Sequence, residues 1–432
     1  MLSEKLALLG GKPVREEILP FVPEEANIGE EEIEAVLEVL RSRKLSQLVS
    51  DKVKEFEEEF AKYYGVKHAI AVSSGTTALH VALAATGIGA GDGVILPPYT
   101  FMATANAILH QNAVPVFADI DPKTYNIDAE SIREAATEKT KIVIPVHMLG
   151  QPADMDSILK VAKEKDLIVI EDCAQANGAE YKGRKVGTFG TFGCFSFYLN
   201  KNITSGGEGG MIITNDDELA EKARSIANHC RVKESPYPDV PAHNVYWGIG
   251  YNYRMTAIQA AIGLVQLKKL DEFNEIRRRN AEYLTNQIKD MEGLEPPYVS
   301  PDVKHVYWAY GARVIKEKLG ISRNQFARAL LAEGIRAEGY APIPVHLQRV
   351  IKEKVGYGKL HCPYDCPFYG EKPRYTEGLC PKAEKLCGED LLLPVYPTLS
   401  RQDLDDVVKA LAKIVASKEE LASYFKREEA TS

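Results

Sequence analysis

Short apolar runs alternate with amphipathic segments along the first half of the chain. The apolar runs are rich in β-branched residues, which is typical of buried strands; they are HAIAVSS, GVILPPY, VPVFADI, KIVIPVHML and LIVIEDCA. Between them, apolar residues recur at helical spacing in TTALHVALAATG, TFMATANAILHQ, AESIREAATE and MDSILKVAKEKD. Strands that are apolar on both faces belong to parallel sheets covered by helices. The pattern therefore predicts an α/β fold with a mostly parallel central sheet flanked by helices.

The alternation weakens after about residue 215, where longer helical patterns follow. Each of four segments predicts one helix: ELAEKARSIANHC, MTAIQAAIGLVQLKKLDEFNEIRRRNAEYLTNQI, RNQFARALLAEG and DLDDVVKALAKIVASKEELASYF. The stretch 341–400 predicts loops with little regular structure. We therefore expect an N-terminal arm (1–25), a large domain (26–260) and a smaller C-terminal α+β domain (261–432) that carries a Cys-rich loop (355–390).

Composition narrows the class of protein. The 432 residues are 45% hydrophobic and 26% charged, which suits a globular protein of two domains. The formal net charge of −8 argues against a nucleic-acid partner. No apolar stretch reaches the roughly 20 residues of a membrane span, and no secretory segment is apparent, so we expect a cytoplasmic protein without membrane contact.

One lysine, Lys201, is isolated within the apolar stretch CFSFYLNKNITSGGEGGMIITND. Its nearest charged neighbour along the chain is Glu208. The glycine run lacks the G-x-G-x-x-G spacing of a dinucleotide site and precedes a strand rather than a helix. Lys201 therefore either caps a buried loop or uses its amine in chemistry.

Three further features follow predicted strands, where ligands of parallel α/β sheets bind. The segment Ser73–Thr77 opens a helix, as either an anion cradle or a simple helix cap. Asp172, with Gln175 three residues on, needs a cationic partner: a protonated ring nitrogen, a metal or an arginine. Tyr99 or Phe101 supplies an aromatic ring. Combined with Lys201, these features predict a pyridoxal 5′-phosphate (PLP) site, in which a desolvated lysine amine forms a Schiff base with the cofactor.

Ordered motifs then extend over nearly the whole chain. They are SSGTTALHVAL, PPYTFMATANAIL, PVFADIDPKTYNID, PVHMLGQPADMD, VIEDCAQANGAEYKGRKVGTFG, SFYLNKNITSGGEGGMIITND and GYNYRMTAIQAAIGLVQL, with PVHLQ and LLLPVYPTLS near the end. In these motifs the chain resembles the DegT/DnrJ/EryC1/StrS aminotransferases. The resemblance implies a fold-type-I, PLP-dependent aminotransferase. Such an enzyme would move an amino group from glutamate or glutamine to a nucleotide-linked keto-sugar or a keto-cyclitol.

The resemblance also implies a role for particular side chains. Lys201 would carry the Schiff base and move protons, and Asp172 would pair with the pyridine nitrogen of the cofactor. The remaining implied cofactor contacts are Gln175 near the phenolic oxygen, Ser196, Gly75 and Thr76 at the phosphate, and Phe101 stacked on the ring.

Other implied contacts concern the substrate and a second subunit. Tyr340 and His346, in the late loops, are candidates for the substrate, and Tyr251 is a weaker one. Asn252 would reach the phosphate in the neighbouring subunit, so a homodimer with shared active sites is expected. Phe101 could instead be core packing, and Asn252 could instead cap a helix.

Two rival functions remain on the same fold. Some relatives with a histidine in place of the lysine are PLP-dependent sugar dehydratases, and some relatives were first described as regulators. Retention of Lys201 disfavours the dehydratase, and the absence of a basic recognition helix disfavours a regulator.

The cysteines divide into two groups. Cys173, Cys194 and Cys230 are scattered through apolar segments, where cysteine is a small buried hydrophobe. The others crowd into the Cys-rich loop, namely Cys362, Cys366, Cys380 and Cys387. Free thiols, disulfides and a metal site all remain open for this group. No metal is expected at the active site itself. Because relatives bind substrate nearby, the loop is expected to shape specificity.

Overall fold

The computed structural model describes residues 5–359, 361–370 and 372–430; the remaining parts of the predicted arm, Cys-rich loop and C-terminal domain lie outside the described residues. The strands are β1 (His68–Val72), β2 (Gly93–Leu96), β3 (Val114–Phe117), β4 (Thr140–Val143), β5 (Ile168–Asp172), β6 (Glu180–Tyr181), β7 (Arg184–Lys185), β8 (Phe192–Ser196), β9 (Gly210–Thr214), β10 (Leu294–Glu295), β11 (Val303–Lys304), β12 (Tyr310–Val314) and β13 (Asp390–Leu393). The helices of the first half are α1 (Glu30–Ser42), α2 (Lys52–Tyr64), α3 (Gly75–Thr86), α4 (Met102–His110), α5 (Ala129–Ala135), α6 (Met155–Glu164) and α7 (Asp217–Ala227). Those of the second half are α8 (Ala257–Ile288), α9 (Lys316–Leu319), α10 (Arg323–Ala332), α11 (Arg349–Lys352), α12 (Pro381–Leu386), α13 (Arg401–Ala416) and α14 (Lys418–Glu429).

The central sheet has seven strands in the order β1-β9-β8-β5-β4-β2-β3. The pairs from β8 to β3 are all parallel, and β9 runs antiparallel to both of its neighbours. The strands are almost wholly buried, because helices cover the sheet. The predicted α/β fold with a mostly parallel central sheet is therefore confirmed.

A second apolar core lies in the C-terminal part, around the antiparallel sheet β10-β12-β13. Helix α8 joins the two cores: Phe273 packs in the core of the large sheet, and Ala281 packs in the second core. The arm belongs to the second core as well, since Leu6 and Leu19 are buried there. The two cores thus meet along one continuous helix.

Two predictions about the C-terminal half are wrong in detail. The last predicted helix is two helices, α13 and α14, because the backbone of Ser417 leaves the helical conformation at φ −106° and ψ 18°. The stretch 341–400 contains α11, α12 and strand β13, which pairs with β12. The apolar run LLLP is a buried strand whose short length hides its periodicity.

The Cys-rich loop crosses the edge strand β3. The Tyr375 hydroxyl donates to the carbonyl oxygen of Pro115 at 2.8 Å. The Asp119 carboxylate, just after β3, accepts from the backbone N–H groups of Lys382 and Ala383 at 2.9 and 3.0 Å. The loop therefore covers a strand that would otherwise expose an unpaired edge.

Even the longest helix, α8, carries too many charges to lie across a bilayer, and no other helix in the described part of the chain combines the necessary length and hydropathy.

Candidate active site

A cavity of about 530 Å³ opens beside the carboxyl end of β5. Eight of the ten predicted site residues line it: Gly75, Thr76, Phe101, Asp172, Gln175, Ser196, Lys201 and Tyr340. Among its other wall residues are Phe21, Thr104, Tyr198, Asn200, Glu208, Trp308 and Glu338. Residues distant in sequence meet here because β1, β5 and β8 lie close together in the sheet and lead into the segments that form the walls.

Lys201 lies in the loop that follows β8, where its backbone N–H donates to the carbonyl oxygen of Tyr198 at 2.9 Å. Its Nζ lies 4.8 Å from the ring centre of Trp308. In the described structure no carboxylate lies within ion-pair distance of this amine. Burial lowers the pKa of Lys201 to about 8, against a smaller opposing effect of the Asp172 carboxylate. At pH 8 about half of these amines are therefore neutral and nucleophilic.

Asp172 ends β5 with its carboxylate toward the cavity. The Thr104 hydroxyl donates to Oδ2 at 2.9 Å, and the backbone N–H of Ala174 donates to Oδ1 at 3.1 Å. Burial raises the pKa of Asp172, while these two hydrogen bonds and the nearby Lys201 oppose that rise. Each oxygen keeps a lone pair, so the group can still accept a proton or a hydrogen bond from a cationic nitrogen.

The preceding residue, Glu171, points to the other face of the sheet and is fully buried. Its carboxylate accepts from the backbone N–H groups of Gly187, Phe189 and Gly190, each at 2.7 Å. The Nε2 atom of His147 lies 3.0 Å from it. Glu171 is thus satisfied by the protein and is structural.

His147, Glu171 and Cys173 are close enough to be compared with a metal site. However, Nδ1 of His147 accepts from the backbone N–H of Ala153 at 3.0 Å, so the proton of a neutral ring lies on Nε2 and points to Glu171. Both ring nitrogens are therefore used by the protein, and this group does not have the donor set of a metal centre.

The N-terminus of α3 meets Ser196 at the cavity wall. Ser74 caps the helix: its Oγ accepts from the Thr77 N–H at 3.2 Å, and the Thr77 hydroxyl oxygen accepts from the Ser74 N–H at 3.0 Å. The N–H groups of Gly75 and Thr76 have no acceptor within the helix. A Cβ on Gly75 would lie 2.7 Å from the Cβ of Ser196, so only glycine permits this approach. The result is a cradle of N–H and hydroxyl donors suited to a phosphate.

Gln175 is held in one orientation by two hydrogen bonds. Its Oε1 accepts from the backbone N–H of Leu149 at 2.8 Å, and its Nε2 donates to the Tyr340 hydroxyl at 2.7 Å. The amide nitrogen is thereby directed toward the cavity side. Tyr340, expected to touch substrate, contacts Gln175 directly in this structure.

The two aromatic candidates behave differently. Phe101 lines the cavity and is 66% exposed, whereas Tyr99 is fully buried and donates its hydroxyl proton to Asp390 at 2.9 Å. Of the two rings, only Phe101 is therefore available to a ligand in the cavity. Its exposure shows that it is not a core residue in this chain.

The structure does not bring His346 or Asn252 to the cavity. His346 is fully buried, packs against Phe117, and lies 3.0 Å through Nε2 from the Glu384 carboxylate of α12. Burial lowers the pKa of His346. His346 therefore does not reach the cavity, where it was expected to contact the substrate. Instead, it connects its own loop to the Cys-rich loop. Asn252 is exposed and pairs through its backbone with Asn228.

Two wall residues were not anticipated from the sequence. Thr104 holds the Asp172 carboxylate, and Trp308 packs beside the Lys201 amine. Thr104 lies one helical turn after Phe101 in a predicted helix, which is a weak signal at best. Trp308 comes from a segment without a motif, so nothing in the sequence connects it to Lys201.

The Cys-rich loop does not reach the cavity in its described part. All seven cysteines are free thiols, and Cys366, Cys380 and Cys387 are buried. Burial raises the pKa of the Cys380 and Cys387 thiols. Within the described ranges the four loop cysteines do not converge on a metal-binding group. The expected influence of the loop on specificity is not supported by this geometry.

Comparison with known proteins agrees with the geometry. The profile of the DegT/DnrJ/EryC1/StrS aminotransferase family matches residues 26–366. The chain is 41% identical to GDP-perosamine synthase of Caulobacter vibrioides, over 84% of this chain and 89% of that protein. It is 35% identical to UDP-N-acetyl-3-dehydro-alpha-D-glucosamine 3-aminotransferase of Acidithiobacillus ferrooxidans, over 85% of this chain and 90% of that protein.

A solved structure shares the architecture as well. NtdA of Bacillus subtilis, with bound cofactor PMP, superposes with a TM-score of 0.78 at 30% identity, covering 93% of this chain and 86% of that one. The aminotransferase fold expected from the sequence is confirmed by these likenesses. The chain belongs to the DegT/DnrJ/EryC1/StrS aminotransferase family.

Proposed function

We propose that this protein transfers an amino group from glutamate or glutamine to a keto-sugar, with PLP held in the cavity at Lys201. The observation that carries the proposal is the convergence of three groups on one cavity. These are an amine with a pKa of about 8, a buried carboxylate, and an anion cradle at a helix N-terminus. Family membership supplies the reaction class.

The chemistry of the donor groups fits PLP. Gly75 leaves room for the cradle beside Ser196, and this cradle would hold the phosphate. Asp172 would keep the pyridine nitrogen protonated, and the Nε2 group of Gln175 would donate toward the phenolic oxygen. Phe101 would cover one face of the ring. When bound, PLP supplies an aldehyde that accepts the amino group and a ring that withdraws electrons.

Lys201 is proposed to act through its neutral amine. Nζ would take the proton from the α-carbon of the donor and, in the reverse direction, deliver a proton to the carbon that carried the keto group. A pKa of about 8 suits both steps, because the amine is neither fully protonated nor too weak a base near neutral pH. Retention of a lysine favours this function over the sugar dehydratase.

The acceptor is proposed to be a nucleotide-linked keto-sugar. The names of two relatives, GDP-perosamine synthase and the UDP-linked aminotransferase, both include a nucleoside diphosphate. Two acids on the cavity wall, Glu208 and Glu338, have no side-chain hydrogen bond to other described residues. Their carboxylates can therefore accept hydrogen bonds from sugar hydroxyls. Tyr340 is retained as a substrate-facing residue through its hydroxyl.

A homodimer is proposed to complete the site. Asn252 lies outside the cavity of its own chain and is exposed. The neighbouring segment exposes large apolar side chains: Tyr246 is 53% exposed, Trp247 50% and Ile249 85%. Exposed apolar groups of this kind support an interface with another chain. In that interface Asn252 would reach the phosphate of the partner's cofactor.

The test is direct amine formation. Purified protein with PLP is incubated with glutamate or glutamine and a panel of keto-sugars, with and without GDP or UDP, and with inososes. The expected product is an amino sugar detected by mass spectrometry, with the nitrogen of labelled donor incorporated. Amination of inososes alone would overturn the sugar acceptor, and no amination with any acceptor would overturn the proposal.

A further inference from the structure

A second cavity, of about 420 Å³, lies beside the first, and Lys201 lines both. Its walls come from the segment 20–28, which includes the end of the predicted arm, and from the loop that carries Lys201, helix α8 and the segment 396–398. The proposed cofactor contacts use none of its residues apart from Lys201. Lys201 therefore borders two cavities that share no other wall residue.

Arg277 of α8 lines this second cavity and is only 2% exposed. Its Nη1 donates long hydrogen bonds to the carbonyl oxygens of Tyr307 and Trp308, at 3.4 and 3.3 Å. Its Nε is buried without a hydrogen-bond partner in the described ranges. Burial lowers the pKa of Arg277 to about 10.

The other buried cations show that this arrangement is unusual for the chain. Arg323 lies 3.7 Å from the Asp390 carboxylate, and Lys413 lies 2.8 Å from that of Glu333. Among the buried lysines and arginines of the described part, Arg277 shares the lack of a carboxylate within 4.0 Å only with Lys201, the proposed reactive amine. A buried charge is costly unless it is paired, so its guanidinium is prepared for an anion from outside the chain.

The acids of the cavity do not neutralise it. Glu24 lies 2.6 Å from Arg336, and Glu25 is exposed. These two acids also disfavour a strongly anionic ligand such as a diphosphate, for which the cavity offers only Arg277 and Lys201 as cations. A small ligand with one carboxylate toward Arg277 suits this charge balance. The planar guanidinium matches a carboxylate with two parallel hydrogen bonds.

We propose that Arg277 binds a carboxylate of the amino-acid donor, which approaches Lys201 through the second cavity. This inference rests on the proposed aminotransferase function. The donor and the acceptor would then contact different residues. The donor carboxylate would bind to Arg277 of α8 in the second cavity, and the sugar would lie near Glu338 and Tyr340 in the first.

Glutarate is the probe, because it carries two carboxylates and no amine and so cannot be transaminated. The PLP-loaded wild type and the variants Arg277→Gln, Arg277→Lys and Arg278→Gln are titrated by calorimetry. Arg278 is the matched control, since it is the adjacent arginine and pairs with Glu275 at 2.9 Å on the surface. We expect Arg277→Gln to raise the Kd at least about tenfold. Arg277→Lys should raise it less, and Arg278→Gln should leave it unchanged.

Because a substitution at the buried Arg277 can disturb folding, a second pair of variants tests the same cavity without changing Arg277. Thr398 is exposed and lines the same cavity from the segment that follows β13. Thr398→Glu places a competing carboxylate there and should weaken glutarate binding, whereas Thr398→Gln should not. Equal glutarate binding by the wild type, Arg277→Gln and Thr398→Glu would overturn the inference, as would binding of UDP rather than glutarate that depends on Arg277.

The two proposals fail in distinguishable ways. Wild-type protein that binds glutarate through Arg277 but aminates no keto-sugar would overturn the proposed function and leave the carboxylate site intact. Wild-type protein that aminates a keto-sugar while Arg277→Gln keeps an unchanged donor KM would overturn the inference alone.

Discussion

At the scale of single residues, the site is built from groups whose charges are adjusted by burial. Lys201 loses part of its preference for the protonated form because it is desolvated beside Trp308. Asp172 is buried as well, yet two hydrogen bonds and the nearby amine help to keep it charged. The residue before Asp172, Glu171, points to the other face of the sheet. Its carboxylate is already hydrogen-bonded within the protein, so it is not available to a ligand.

The lowered pKa of Lys201 predicts how fast the apoprotein captures PLP at different pH. Only the neutral amine attacks an aldehyde, so the rate should rise with pH and level off above about 8. Stopped-flow absorbance of apoprotein mixed with PLP measures this profile. A rate that keeps rising toward the ordinary lysine pKa of about 10.5 would show that the amine is not desolvated.

Asp172→Asn removes the negative charge and leaves one carbonyl oxygen, which can accept from Thr104 or from Ala174 but cannot replace both carboxylate oxygens. We expect a folded protein that has lost about 3–5 kcal/mol of transition-state stabilisation, or roughly a hundred- to several-thousand-fold in kcat/KM. Steady-state kinetics measures the loss, and circular dichroism checks the fold. Near-normal turnover would mean that the carboxylate is structural.

At the scale of elements, the site depends on where strands end. The α3 cradle follows β1, Asp172 ends β5, and Lys201 follows β8. Strands β5 and β8 are neighbours, and β1 lies beyond the antiparallel β9, so the carboxyl ends of all three lie along one edge of the sheet. The Cys-rich loop serves another purpose: it lies across β3 and anchors α12 on Asp119. His346 also contacts the Cys-rich loop, because its Nε2 atom lies 3.0 Å from the Glu384 carboxylate of α12.

Asp119→Ala should therefore weaken the fold without affecting chemistry. The carboxylate accepts two N–H groups at the start of α12, and their loss should lower the free energy of unfolding by about 2–3 kcal/mol. Asp121→Ala is the control, since in the described structure the Asp121 carboxylate accepts only a local hydrogen bond, from the backbone N–H of Lys123 at 2.8 Å. Chemical denaturation compares the variants. Equal stability of the two variants, or a loss of activity by folded Asp119→Ala, would contradict this role.

The sequence predicted those parts of the protein that leave a local pattern. The buried strands of the central sheet and the helices between them follow from period and composition, and motif order identified eight of the cavity residues. What could not be predicted depends on tertiary contacts. Trp308 reaches Lys201 from a segment without periodicity. Arg277 is followed by two further arginines, so the sequence does not show which of the three faces the cavity. The direction of the His346 side chain depends on its contact with the Cys-rich loop.

At the scale of the whole molecule, a second chain is proposed to complete the site. The proposal is supported by the position of Asn252 outside the cavity and by the exposed apolar residues beside it. The proposed dimer would pair Lys201 of one chain with Asn252 of the other. Helix α8 links the two cores of each chain, so the second cavity lies where the cores meet.

Subunit mixing tests the shared site. Lys201→Ala and Asn252→Ala are each expected to be strongly impaired, and mixed dimers should recover activity. Random reassembly makes about half of the dimers hybrid, with one intact site in two, so recovery should reach at most about a quarter of wild-type activity. Recovery is measured after dissociation and reassociation of equal amounts. If Asn252→Ala is impaired and no activity returns, Asn252 acts within its own subunit.

Borohydride reduction followed by peptide mapping shows whether Lys201 is the residue that carries PLP. Reduction converts the covalent link between a lysine and PLP into a stable amine that mass spectrometry locates after proteolysis. We expect one phosphopyridoxyl group per chain on the peptide that contains Lys201, and none on Lys201→Arg protein treated identically. A label on another lysine, or a purified wild-type protein that cannot be labelled after incubation with PLP, would contradict this expectation.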